Sequence, residues 1–258
     1  MNADDLFLAA LKRRGLSHSL SDDGLFLVRL GEVTARISLE NVRRDYERDH
    51  DADAIERFVE QLNEQFFDTD VHWDNAAPYV RYCLEPSDYA TGFDQTLHEF
   101  VTDSLVRIFV CTSPDGSRIT WISHDMMARW GVPESDVREQ ADRNMSQLVR
   151  QTTLQVQAAG EVNLGMLAID DVAFKASLLL APEFRSLVEP ALGWPVLAVA
   201  PARDFVYVLS TDHTKFLPRL GAVVMREYQE SGYPITAEVL SIDDNGITAI
   251  GSFARPQD

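Results

Sequence analysis

The sequence predicts an α+β protein in which helices pack on antiparallel or mixed sheets. Three observations carry that reading. Apolar-alternating runs occur in neighbouring pairs, parted by turn-forming residues: Gly31-Glu32, Pro114-Asp115-Gly116 and Asp244-Asn245-Gly246. Other segments repeat apolar residues at three and four, the period of a helix with one buried face. Long strand-to-strand crossovers are scarce, which argues against a doubly wound nucleotide fold.

Residues 4–14 read as a helix stopped by Gly15. Its basic cluster follows its apolar stretch, the reverse of a secretory signal, so a mature amphipathic helix is expected. Runs 25–30 and 33–37 suggest a hairpin, followed by helices at 39–48 and 51–67. In the second helix Ala52, Ile55, Val59, Leu62 and Phe66 mark a buried face, and Glu56, Glu60 and Glu64 form an acidic stripe on another. Strands follow at 79–84, 105–111 and 118–122. Ser123 can cap a short helix through Arg129, and Pro133 stands where a further helix begins, since its missing N–H costs nothing there. Val137, Ala141, Met145, Leu148 and Thr152 continue that helix's apolar stripe. Strands are expected at 165–169, 174–180, 194–200, 205–209, 237–242 and 247–250, with helices at 182–192 and 214–229. The chain divides into three α+β regions, 1–76, 77–159 and 160–258, making one or two compact domains.

Apolar residues make up 45% of the 258 and charged residues 25%, the balance of a chain with a real core. The longest apolar runs, such as 176–181, are too short to cross a bilayer, so no membrane association is expected. Only two cysteines occur, Cys83 and Cys111, outside any ligand-like spacing. This suggests a reducing, cytoplasmic setting. The net charge is −18, and half of it lies in residues 45–74, where 11 acidic residues face two basic ones. A net anion neutralises phosphate poorly, so nucleic acid and anionic lipid are disfavoured as partners. The charge reads as solubility, or as an anionic face for a basic or mixed-charge protein partner.

Three stretches, 37–49 (ISLENVRRDYERD), 119–145 (ITWISHDMMARWGVPESDVREQADRNM) and the Pro-x-Arg-Asp strand pair within 196–209, together resemble the YtpQ-like proteins, a bacterial domain family of unresolved role. The resemblance implies a soluble bacterial protein and carries over no catalytic set.

Reactive constellations are sparse. No glycine-rich phosphate loop and no Gly-x-Ser-x-Gly elbow is present, so no cofactor is expected. Asp68, Asp70, His72 and Asp74 alternate, and on a strand they would share one face with donor types suited to a divalent metal; a polar edge strand gives the same pattern. Ser123-His124-Asp125 holds triad residue types, but adjacent residues cannot relay a proton to one another. Cys83, Trp121, Trp130 and Trp194 are expected in the core. Arg203-Asp204 lies between two apolar runs, either as an ion pair closing a strand junction or as a guanidinium fork for a carboxylate or phosphate. The expected function is a non-enzymatic interaction module using Glu56, Glu60, Glu64, Arg203 and Asp204; the alternative is a hydrolase-like enzyme with a site near Arg203 and Asp204.

Overall fold

A computed structural model describes residues 2–20, 26–30, 33–37, 39, 42, 43, 46, 47, 50–63, 72–88, 93–114, 116 and 119–253. They form two compact units, Met1–Val71 and His72–Asp258. The fold is α+β, and among the described residues the strand pairs are antiparallel. The Gly31-Glu32 turn, Asp115 and residues 64–71 lie outside the described residues.

The first unit packs α1 (Ala3–Arg13) and α2 (Ala52–Asn63) with a three-stranded sheet of β1 (His18–Leu20), β2 (Phe26–Leu30) and β3 (Val33–Ile37). α1 starts at a capping box. The Asp5 amide donates to Asn2 Oδ1 at 2.8 Å, and the Asn2 amide donates to Asp5 Oδ2 at 3.3 Å. Asp51 opens α2 by accepting from the Asp53 and Ala54 amides. The three-and-four spacing that predicted α2 is the spacing that buries it. Ile55, Val59 and Leu62 close on Phe7 and Leu11 of α1 and on Phe26 and Val28 of β2. Phe7 meets Phe26 edge to face at 5.3 Å between centroids.

The second unit holds two sheets. The smaller one centres on β6 (Leu105–Thr112). β4 (Val80–Pro86) pairs along one edge of it, and β5 (His98–Phe100) and β7 (Ile119–Trp121) share the other. After the short α3 (Trp73–Ala76), Asn144 of the later α5 donates to the Ala77 and Val80 carbonyls at 2.8 and 2.6 Å, fixing the start of β4. α4 (His124–Trp130) is capped by Ser123, whose Oγ accepts from the Met126 amide at 3.1 Å. Pro133 is the residue before α5 (Glu134–Gln151), and Val137, Ala141, Met145 and Leu148 are buried as their spacing requires.

The larger sheet has the order β13-β12-β10-β11-β9-β8. Its strands are β8 (Thr153–Ala159), β9 (Val162–Ala168), β10 (Val196–Ala202), β11 (Phe205–Ser210), β12 (Glu238–Asp243) and β13 (Gly246–Ser252). α6 (Phe184–Leu192) packs on β8, β9 and β11, while α7 (Leu217–Glu230) lies on β10. Leu197, Val199 and Leu209 meet Leu220 and Val224 of α7. β10 is buried at all seven positions, as a strand covered on both faces must be. Pro201 lies where the β10–β11 register shifts, a place that needs no ladder N–H.

One expectation is corrected. Residues 174–180 are not a strand; they lie in 3₁₀ turns, Val172–Phe174 and Ala176–Leu180, with Phe174, Leu178 and Leu179 buried. The expected division at 159/160 falls in the turn of the β8–β9 hairpin, where Ala159 pairs Val162. Residues 77–159 and 160–258 therefore share one unit.

Candidate functional site

Arg203 and Asp204 form the two-residue turn between β10 and β11, as their flanking apolar runs imply. Arg203 makes a long-range pair. Arg203 Nη2 donates to Glu85 Oε1 on β4, and its guanidinium stacks over the Tyr233 ring, 4.4 Å from the centroid. Glu85 is 1% exposed. Burial raises its carboxyl above the ordinary range, and the Arg203 charge opposes that rise. The Arg203 backbone is held as well, donating to the Tyr233 carbonyl and accepting from the Ala176 amide at 2.9 Å. Asp204 is exposed beside this knot.

The acidic stripe of α2 faces its own unit's basic cluster. Glu56 pairs with Arg13, and Glu60 lies 3.5 Å from Arg14. Glu64 lies outside the described residues. The stripe thus draws α1 and α2 together at the C-terminal end of α1, where the helix dipole favours cations.

Among the four alternating metal candidates, Asp68 and Asp70 lie outside the described residues. His72 is the residue before α3 and Asp74 lies inside it, both exposed. The strand alternation that would align them therefore does not extend over these two. Among the described residues, no group of three or more His, Cys, Asp or Glu side chains is placed to hold a metal ion. Cys83 and Cys111 are free and buried. Burial pushes the Cys83 thiol well up and the Cys111 thiol to about 11, so both are poor nucleophiles at neutral pH.

The feature that sequence reasoning missed is a cleft of about 490 Å³ in the second unit. Its apolar lining comes from Phe100 at the end of β5, Leu179 in a 3₁₀ turn, Phe184 of α6, Trp194 and the hairpin residues Ile242 and Ile247. Phe100 is 66% exposed, an unusual state for so large an apolar ring. Trp194 is half-buried, as are Trp121 and Trp130, against the expectation that all three belong to the core.

The rim is polar and carries an ionic lattice. Arg185 forks onto Glu189 at 2.8 and 2.9 Å, donates to Asp244 Oδ1 at 2.8 Å, and lies 5.4 Å from the Trp194 ring centroid. Trp194 Nε1 donates to the same Asp244 oxygen at 2.9 Å. The Arg185 contact holds the Glu189 carboxyl below its ordinary range. Asp244 owes its position to the β12–β13 turn. Asp243 Oδ1 accepts from the Asn245 amide at 2.7 Å, and Gly246 takes a positive φ that a side chain would strain. At the other end Arg107 pairs with Glu99 at 2.8 Å and Asp142 at 3.9 Å and stacks on Tyr82, whose hydroxyl donates to the Leu180 carbonyl.

A smaller cleft of about 270 Å³ in the first unit surrounds Asp4, Arg43, Tyr46 and His50. There Arg43 is bound to Asp4 by a two-pronged contact of 2.7 and 2.8 Å.

Among the described residues, no helix is long and apolar enough to cross a membrane. No family model matches the chain, and no curated protein or solved structure matches it at a significant level.

Proposed function

We propose that this protein is a non-enzymatic interaction module that seats an apolar anchor of a basic or mixed-charge protein partner in the cleft between Phe100 and Trp194. The observation that carries the reading is one place that combines an exposed aromatic ring, an apolar floor and a polar rim. Protein interfaces concentrate aromatic anchors at a dry centre and leave polar groups at the edge. The chain's net charge of −18 adds a long-range attraction for a basic partner and speeds its encounter at low salt. Arg185 and Arg107 already hold carboxylates, which favours an apolar-basic segment over an anionic ligand for this cleft.

The acidic stripe of α2 is a weaker docking surface, because Glu56 and Glu60 engage Arg13 and Arg14. A hydrolytic role at Arg203 and Asp204 is weaker still, because the Arg203 guanidinium is engaged by Glu85 and Tyr233. A reducing, cytoplasmic setting is favoured by the two free thiols. Kinship with the YtpQ-like proteins rests on the three stretches that resemble them.

Calorimetric titration with synthetic peptides tests the reading. A peptide with a Trp-Leu core and lysine flanks should bind; the same core with glutamate flanks should not. Added salt, Phe100→Asp and Trp194→Ala should each weaken the complex. Equal binding of both peptides, or binding untouched by the two substitutions, rejects the cleft as the docking place.

A further inference from the structure

β8 is an outer strand of the six-stranded sheet, and its outer edge, which pairs with no strand among the described residues, is unusual for so acidic a chain. All seven of its residues pair with β9 without a register shift. Five of the seven are exposed. None carries a charge: the strand reads Thr-Leu-Gln-Val-Gln-Ala-Ala. Soluble proteins blunt such edges with lysines, prolines or bulges, because a row of unsatisfied N–H and C=O groups recruits another strand. The opposite edge, β13, is blunted in that way, since its pairing with β12 slips at Val239/Leu240. β8 is not.

We propose that β8 is a self-association edge, and that a second copy of this chain pairs with it antiparallel about a two-fold axis through Val156. Three features fit a second copy. A chain of net charge −18 repels itself, and a charge-free seam is where two copies meet without opposing carboxylates. The strand is self-complementary about Val156: Gln155 falls opposite the second copy's Gln157, amide facing amide, and Leu154 falls opposite Ala158. The ends differ in their charged groups: Arg150, which holds Glu183 at 2.6 Å, stands before the strand and Glu161 after it, and Arg150 and Glu161 are both exposed. Antiparallel pairing brings each Glu161 to the end where the second copy's Arg150 stands. Parallel pairing would set like charges together.

The experiment is sedimentation of the full chain over a concentration series, with Val156→Lys and Val156→Cys beside the wild type. The wild type should dimerise. Val156→Lys sets two cations face to face on the axis and should weaken the dimer by at least roughly tenfold. Val156→Cys should form a disulfide-linked dimer on oxidation, because directly opposed strand positions lie within bridging distance. The native thiols are buried and should not compete. Ile250→Cys, on β13, is the control and should stay monomeric on a denaturing gel. A wild type that is monomeric up to its solubility limit overturns the proposal. So does a dimer that tolerates Val156→Lys, or one that crosslinks through Ile250→Cys and not through Val156→Cys.

Discussion

Arg203, in the turn between β10 and β11, closes onto the carboxylate of Glu85 on β4, 118 residues earlier in the chain. The contact ties the larger sheet to the smaller one. Leu84 adds to the same seam, its amide donating to Ser177 Oγ at 3.0 Å. Ser104 completes it from the β5–β6 turn, donating to Glu238 on β12. Removing the guanidinium leaves a carboxylate that is 1% exposed without its cation. Arg203→Ala should therefore cost about 3–5 kcal/mol of unfolding free energy, the usual penalty for breaking a buried pair from one side. Arg203→Lys should recover part of it, since the charge returns without the fork or the stacking on Tyr233. Urea denaturation of the three proteins measures both. Equal stability of Arg203→Ala and wild type would show that the pair bears none of the seam.

The same carboxylate sets a pH dependence. Burial raises the Glu85 carboxyl in the folded chain above its ordinary 4.5. Between the two values the native state holds more protons than the unfolded state, so the stability contributed by Glu85 falls as pH rises. That contribution is complete below 4.5 and is lost as pH climbs through the folded value. Glu85→Gln removes the titration while keeping shape and a hydrogen-bonding oxygen. As pH rises from 4.5 through the folded value the variant should gain on the wild type, as followed by denaturant midpoints. A wild type that gains instead would mean that Arg203 outweighs the burial.

Much of the fold was legible because local chemistry and tertiary packing agree. Ser123 caps, Pro133 precedes a helix, and Ile55, Val59 and Leu62 bury the face their spacing marks. The failures have physical causes. Residues 174–180 form a short apolar run, and such a run fits a buried 3₁₀ turn as well as a strand. β8 went unread because both its faces are largely exposed, which removes the contrast that strand recognition needs. The cleft was invisible because Phe100, Trp194 and Asp244 converge from distant segments. Trp194 itself looked like core, being set among apolar neighbours. Glu56 and Glu60 were visible as a stripe, but their partners Arg13 and Arg14 lie on another helix.

The thiols report on global opening. Cys83 and Cys111 lie on neighbouring strands, and their buried thiols are held up by desolvation, Cys111 to about 11. Reaction requires a thiolate that a reagent can reach. Under native conditions a disulfide reagent should label neither residue faster than the chain opens, and both should appear together in denaturant. Mass spectrometry of quenched samples follows this. Rapid labelling of one cysteine in the native protein would reveal a local opening of β4 or β6.

Gly165 on β9 tests the packing beneath β8. A Cβ built there would come within 2.8 Å of Leu192 Cδ1 on α6, 2.9 Å of Leu154 Cδ1 on β8 and 3.3 Å of the Val208 carbonyl oxygen. The leucine ends can shift, but the backbone oxygen of a central strand cannot move without disturbing its ladder. Leu192 is itself buried, at 6% exposure, so its own displacement strains α6. Gly165→Ala should cost about 1–3 kcal/mol by overpacking, despite the better strand propensity of alanine. Leu154→Ala in the same chain opens space on one side and should return part of the loss, since neighbours sharing one void are not additive. Thermal and urea unfolding of the single and double variants measure the coupling. A Gly165→Ala protein as stable as the wild type would mean that α6 rides loosely on this face of the sheet.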